Sequence, residues 1–296
     1  MITVRTFAEA REARTGTVAL VPTMGFFHEG HLSLIEHAAA RVDTTIVSLF
    51  VNPTQFGDRT DLETYPRDEE RDAELALKAG ADVLFAPSVE EVYPEGGDVM
   101  VRAGAPAIGM EGEHRPGHFD GVATVVAELF AALEPDLAVF GRKDAQQLAV
   151  VRSMAESLRF PVAIEGRPII REHDGLALSS RNKRLTESDR DLAPIISRAL
   201  FEAAALIETG ERDAARIVHE ARAVLAESDE VDVEYVAVAD QKTARILESV
   251  ETDCFVATAV RVGDTRLIDN VGVDAATLTV DRGVRLAEPS ILYSEV

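Results

Sequence analysis

Two histidines set three residues apart, in Pro22-Thr-Met24-Gly25-Phe-Phe-His28-Glu-Gly30-His31, are the first residues whose types and spacing point to chemistry. The stretch follows an apolar, β-branched run and precedes a helical pattern. Both imidazoles therefore fall on the first turn of a helix and face the same way. A helix N-terminus presents unpaired N–H groups and partial positive charge, which suits a polyphosphate. Two imidazoles there add donors that can follow charge onto a leaving phosphate. Gly30 lets a nucleotide lie against the helix with no side chain between them. Strand, turn, His-x-Gly-His and helix in that order point to adenylyl or nucleotidyl transfer, without naming a substrate.

Four further stretches carry polar groups at turns. Asn52-Pro-Thr-Gln55 ends a second apolar run and offers a neutral amide, able to donate to a carboxylate and accept from a hydroxyl; Tyr65-Pro-Arg67 follows it. Glu111-Gly-Glu-His-Arg115-Pro-Gly-His118-Phe-Asp-Gly121 is a turn-rich loop opening a helix. Gly141-Arg142-Lys143-Asp144-Ala-Gln-Gln147 turns from a strand into a helix. Lys143 is a point charge placed for phosphate oxygens, and Gln147 lies one turn on, on the same side. Leu178-Ser179-Ser180-Arg181-Asn182-Lys183 sets two hydroxyls and a guanidinium on a junction loop, suited to a lid over phosphates.

The elements that must position these groups follow from periodicity. Residues 17–21, 45–51, 82–86 and 137–140 are apolar runs of strand length. Helical patterns run over 31–41, 67–79, 121–133 and 145–159, with Gly80 closing the second. This alternation predicts an α/β fold: a Rossmann-like parallel-sheet nucleotide-binding domain over 1–169, with helices on both faces and its ligands at the carboxyl ends of the strands. A helical region over 186–227, broken at Gly210, then strands at 234–238, Cys254–Val262 and 265–268 around a Gly263-Asp264 turn, predict a smaller α+β domain over 170–296. The tail from Gly272 onward is polar with scattered apolar residues and reads as partly disordered.

Composition narrows the function classes. The 296 residues are 46% hydrophobic and 28% charged, which fits a folded chain and not collagen, coiled coil or disorder. No apolar run nears the roughly 18–20 residues that span a bilayer. The single cysteine, Cys254, forms no internal disulfide, and the start lacks the order of a secretory signal, so a cytoplasmic protein is expected. Asp plus Glu is 52 against 30 Lys plus Arg, a formal net charge of −22. That balance opposes nucleic-acid and membrane partners. It also repels an anion such as ATP unless cations are gathered at one place. Of only four lysines, Lys143 and Lys183 fall in the loops above.

From about residue 17 to 270 the succession of motifs resembles the pantoate–β-alanine ligase (pantothenate synthetase) family. The resemblance implies ATP-dependent joining of pantoate and β-alanine through a pantoyl adenylate, with release of pyrophosphate and AMP. It implies an ATP site at Met24, Gly25, His28, Gly30, His31, Gly141, Arg142, Lys143, Asp144, Ile170, Leu178, Ser179, Ser180 and Arg181. Of these, His28, His31, Lys143 and Arg181 would be catalytic. Gln55 and Gln147 would grip pantoate, and Gln55 would also meet β-alanine. Mg²⁺ arriving with ATP, on ligands left unassigned, and a homodimer are further implications. Phe27, Thr54 and Leu178 depart from the family's usual residues and alter pocket walls. Two rivals share parts of the pattern: a nucleotidyltransferase with His-x-Gly-His, which leaves Gln55 and Gln147 unexplained, and a non-catalytic nucleotide sensor, which needs no second-substrate site.

Overall fold

The structure is a computed structural model that describes residues 1–57, 59–96 and 99–293. Six parallel strands, β1 (Ile2–Val4), β2 (Val18–Thr23), β3 (Thr44–Leu49), β4 (Val83–Phe85), β5 (Leu137–Gly141) and β6 (Ala163–Arg167), form one sheet in the order β1-β4-β3-β2-β5-β6. Alternate residues point to opposite faces, so each strand feeds two cores. Val18, Leu20, Ile46, Phe85 and Phe140 pack under helices His118–Leu133 and Ala145–Leu158. Ala19, Val21, Val47, Leu84 and Val139 pack under helices Glu29–Ala39 and Glu69–Lys78. The chain works outward from β2 on one side and from β5 on the other. The crevice at the carboxyl ends of this pair is therefore the place where such sheets bind ligands.

After the two-residue β7 (Ile170–Arg171), the second half builds an antiparallel sheet. Its strands are β8 (Val231–Asp240), β9 (Cys254–Val262), β10 (Thr265–Asp274) and β11 (Thr279–Asp281). Helices Ile195–Glu208 and Ala214–Leu225 cover one face. Gly263-Asp264 makes the expected hairpin, with Val262 opposite Thr265. The expected helical region is three helices, the first being Glu187–Leu192. Arg171 ties β7 to β10 from a fully buried position. All five of its N–H donors are used, on both Asp269 carboxylate oxygens and on the carbonyls of Gly175, Asn270 and Arg282.

The partly disordered tail is corrected. β10 runs to Asp274, β11 pairs with it, and β12 (Val284–Arg285) lies parallel to β7. Leu292 is fully buried. Among the described residues, no helix is long and apolar enough to cross a membrane.

Candidate active site

A cavity of about 210 Å³ opens at the carboxyl ends of β2 and β5. Met24, His28, Gly30, His31, Gln55, Gly141, Lys143, Asp144, Gln147, Leu178, Ser179, Ser180 and Arg181 all line it. Four of the five stretches singled out in the sequence thus meet in one place.

The histidine turn is built from both sides. His28 is the N-cap of helix Glu29–Ala39 and His31 its third residue, in a reciprocal capping arrangement. Gly30 N–H donates to His28 Nδ1 at 3.1 Å, and His28 N–H to His31 Nδ1 at 3.4 Å. With both Nδ1 atoms accepting, each neutral ring carries its proton on Nε2, and the rings lie 4.2 Å apart along the cavity. Burial pushes His31 down to about 4, with Lys143 adding to the shift and Asp144 opposing it. Burial also drives His28 well below its ordinary value, helped by His31, Lys143 and Arg71. Both are neutral donors at pH 7. A Cβ on Gly30 would lie 2.8 Å from His28 Cε1, so the glycine makes room for the ring as well as for a ligand.

The turn ahead of them is held by Asp72, which the sequence reading did not single out. Gly25 and Phe26 both have positive φ, and Asp72 accepts from the N–H groups of Phe26 and Phe27 at 2.6 and 2.7 Å. No local pattern marks Asp72, because it lies in the helix Glu69–Lys78, more than forty positions on.

Gln55 sits on a short turn capped by Asn52, whose side chain contacts Gln55 Oε1 at 3.3 Å and Gly121 O at 3.1 Å. The Arg115-Pro-Gly-His118 loop braces the same turn. His118 donates from Nδ1 to Gln55 O at 2.8 Å and meets Arg115 Nη1 with Nε2 at 3.1 Å. Burial, then the neighbouring guanidinium, pushes His118 down to about 4. Gly121 lets the turn lie on helix His118–Leu133, because a Cβ there would stand 2.6 Å from Thr54 O. Gly121→Ala is expected to cost about 1–3 kcal/mol through overpacking. It should also displace Gln55 from its place in the cavity lining; denaturant melts check the loss of stability.

His31 and His118 titrate near 4 in the folded protein against about 6.5 unfolded, so the unfolded chain takes up protons first as pH falls. Their contribution to stability is complete above pH 6.5 and is lost between 6.5 and 4. Urea midpoints should fall across that window, and less steeply in His118→Gln; a midpoint rising on acidification would contradict this.

On the β5 side, Asn270 donates to the carbonyls of Arg142 and Lys143 at 3.0 and 2.8 Å, fixing the turn while leaving the Lys143 ammonium to the cavity. Of the paired glutamines, Gln146 is buried and bonded to Glu111, Pro106 and Gly109, so only Gln147 reaches the cavity. Arg181 is paired with Asp61 at 3.0 Å. Burial works against its charge, but Asp61 and Tyr65 more than offset this and hold it above its ordinary value.

Gly25, Arg142 and Ile170 do not line the cavity. Gly25 faces Leu49 and Asp72, Arg142 is paired with Asp281 at 2.9 Å, and Ile170 packs in a cluster with Phe26, Leu178 and Leu292. One wall was not foreseen at all: Val122, Val125, Val126 and Leu129 on helix His118–Leu133. Their i, i+3, i+4, i+7 spacing is that of any buried helix stripe, and nothing in it distinguishes a cavity wall from a core.

The chain matches the sequence profile of the family described as pantoate-beta-alanine ligase over residues 2–272. It is 48% identical over 266 residues to a pantothenate synthetase of Heliobacterium modesticaldum, covering 90% of this chain and 94% of that one. A pantothenate synthetase of Moorella thermoacetica is 48% identical over 268 residues, 90% of this chain and 95% of its own. The crystal structure of pantothenate synthetase from Thermus thermophilus superposes with a TM-score of 0.88 at 45% identity, covering 91% of this chain and 98% of that one. A pantoate-beta-alanine ligase from Francisella tularensis, crystallised with beta-gamma ATP and beta-alanine, superposes with a TM-score of 0.75 at 30% identity over 91% and 97%. With a family match over residues 2–272 and relatives 48% identical over 90% of its length, this chain belongs to the pantoate–β-alanine ligase family.

Proposed function

We propose that this chain carries out its family's ligation in two steps at the cavity between β2 and β5. A carboxylate oxygen of pantoate attacks the α-phosphorus of ATP, the bond to the bridging oxygen breaks, and pyrophosphate leaves. The amine of β-alanine then attacks the acyl carbon, the bond to AMP breaks, the nitrogen loses a proton, and pantothenate forms. The observation that carries this reading is that one cavity gathers two neutral imidazole donors, a lysine, two amides and the Ser179-Ser180-Arg181 turn.

In this reading ATP lies over the histidine turn and along Gly141, Lys143, Asp144 and the 178–181 turn, with Gly25, Arg142 and Ile170 supporting those elements. Charge develops on phosphate oxygens, toward which this reading directs His28, His31, Lys143 and Arg181 of the cavity lining, and preorganised donors of this kind supply most of the rate. Gln55 and Gln147 hold the polar groups of pantoate while the wall from Val122 to Leu129 meets its methyl groups; Gln55 then receives β-alanine. No enzyme nucleophile is required, and Cys254 is fully buried with its thiol pushed up to about 12 by burial and by Asp253 and Asp240.

Among the described residues, Asp144 is the carboxylate in the cavity lining. That fits Mg²⁺, which is usually held by one or two carboxylates together with substrate phosphates. When bound with ATP the ion would neutralise charge on the departing phosphates. The separate cores support domains of 1–169 and 170–296, the second acting as a lid. The resemblance supports a cytoplasmic homodimer, which sedimentation would show at twice 32.0 kDa.

Pyrophosphate and AMP release from Mg-ATP, pantoate and β-alanine, each omitted in turn, tests the reading. Pyrophosphate should require pantoate, and AMP should appear only with β-alanine. Nucleotide retained on the product would indicate nucleotidyl transfer instead, and release indifferent to pantoate would leave only a nucleotide binder.

A further inference from the structure

We propose that residues 290–293 form a strap that positions the two turns holding ATP, with Ser290, Ile291 and Leu292 as positioning residues; this rests on the function proposed above. Glu29, the residue between His28 and Gly30, accepts from Ser290 Oγ at 2.6 Å and from Ile291 N–H at 2.7 Å. Arg71 donates to Phe27 O at 2.9 Å and to Ile291 O at 3.1 Å. Both backbone polar atoms of Ile291 are thus taken by groups belonging to, or gripping, the histidine turn.

The same four residues reach the other turn. Leu292, fully buried, packs in one cluster with Phe26 of the histidine turn and Leu178 of the serine–arginine turn. Tyr293 donates its hydroxyl at 2.8 Å to Glu172 Oε1, the oxygen that also accepts from Asn182 Nδ2 at 3.1 Å. Asn182 closes the Ser179-Ser180-Arg181 turn by donating its N–H to Ser179 O at 2.9 Å. Residues 290–293 are thus tied at both sides of the nucleotide cavity. The family match ends at residue 272, so the strap lies outside the part that defines the family.

Fixing two turns before ATP arrives removes ordering that binding would otherwise have to impose. Docking of the strap and binding of ATP are then coupled, and each must favour the other by the same factor. Three forms of the protein test this: the intact chain, a chain ending at Leu286, and Ser290→Ala in the full chain. Titration with ATP alone should show the Kd raised about tenfold by truncation and severalfold by Ser290→Ala. In the full assay the KM for ATP should rise alike, while kcat and the KM for pantoate stay within about twofold. In the intact protein, ATP should slow hydrogen exchange at the Ile291 and Leu292 amides by a similar factor.

Unchanged ATP affinity in Ser290→Ala together with exchange indifferent to ATP would overturn the proposal. A parallel loss of kcat, both KM values and thermal stability would also overturn it, since a purely structural tail behaves that way. If the truncated chain does not fold, Ser290→Ala and the exchange measurement still decide. The titration needs no pantoate, so failure of the strap and failure of the ligase reading are told apart.

Discussion

Lys143→Ala is expected to lower pantoate-dependent pyrophosphate release by about 10³-fold or more, the scale of a charged group acting on a transferring phosphate, while the protein stays folded. Among the described residues the cavity contains no second lysine, and the neighbouring cation cannot take over: Arg142 is held by Asp281 and by the carbonyl of Gly166. In a chain of net charge −22, each cation at the site also carries more of the attraction for ATP than it would in a neutral protein. The fold should survive because Asn270 holds the backbone of the turn and not the side chain. Lys143→Arg should recover only part of the loss, since a planar fork does not replace a point charge. Single-turnover pyrophosphate release alongside a circular-dichroism melt separates the two effects, and full activity in the alanine variant would remove Lys143 from the site.

His31→Ala should cost about 10²–10³-fold in the same step, the size of one preorganised donor. On the function proposed above His31 acts as a neutral Nε2–H group, so the ratio of wild-type to variant rates should stay flat from about pH 6 to 9. A ratio that collapses above the ordinary histidine range would mean the imidazolium is the working form. A loss under tenfold would sink the proposed role.

The central strands were legible because a sheet covered on both faces needs uninterrupted apolar runs, and 17–21, 45–51 and 137–140 supply them. β1 and β6 were not, for the same reason inverted: both are edge strands, one of three residues and one reading Ala-Ile-Glu-Gly-Arg, with little to bury. Residues 290–293 lack a local pattern, and their order comes from Glu29 and Arg71, more than two hundred positions away. At the site, residue types told which turns carry chemistry, and strand ends told where. Position one turn on from Lys143 singled out Gln147, which lines the cavity, but the bonds that hold Gln146 to Glu111 and Pro106 exist only in the folded chain. The bracing of Gln55 by His118 is equally tertiary.

The N-cap of helix Glu29–Ala39 is a histidine, whereas serine, asparagine and aspartate are the residues that cap helices best. Thermal stability therefore exerts no pull toward His28; a shorter polar side chain would start the same helix and shed a buried ring. Selection for heat resistance alone would drift away from histidine here, giving descendants that, on the function proposed above, no longer turn over. On the function proposed above, persistence of His28 in a lineage would record selection on catalysis, and a relative carrying serine or asparagine at this position is expected to keep the fold and lose the reaction.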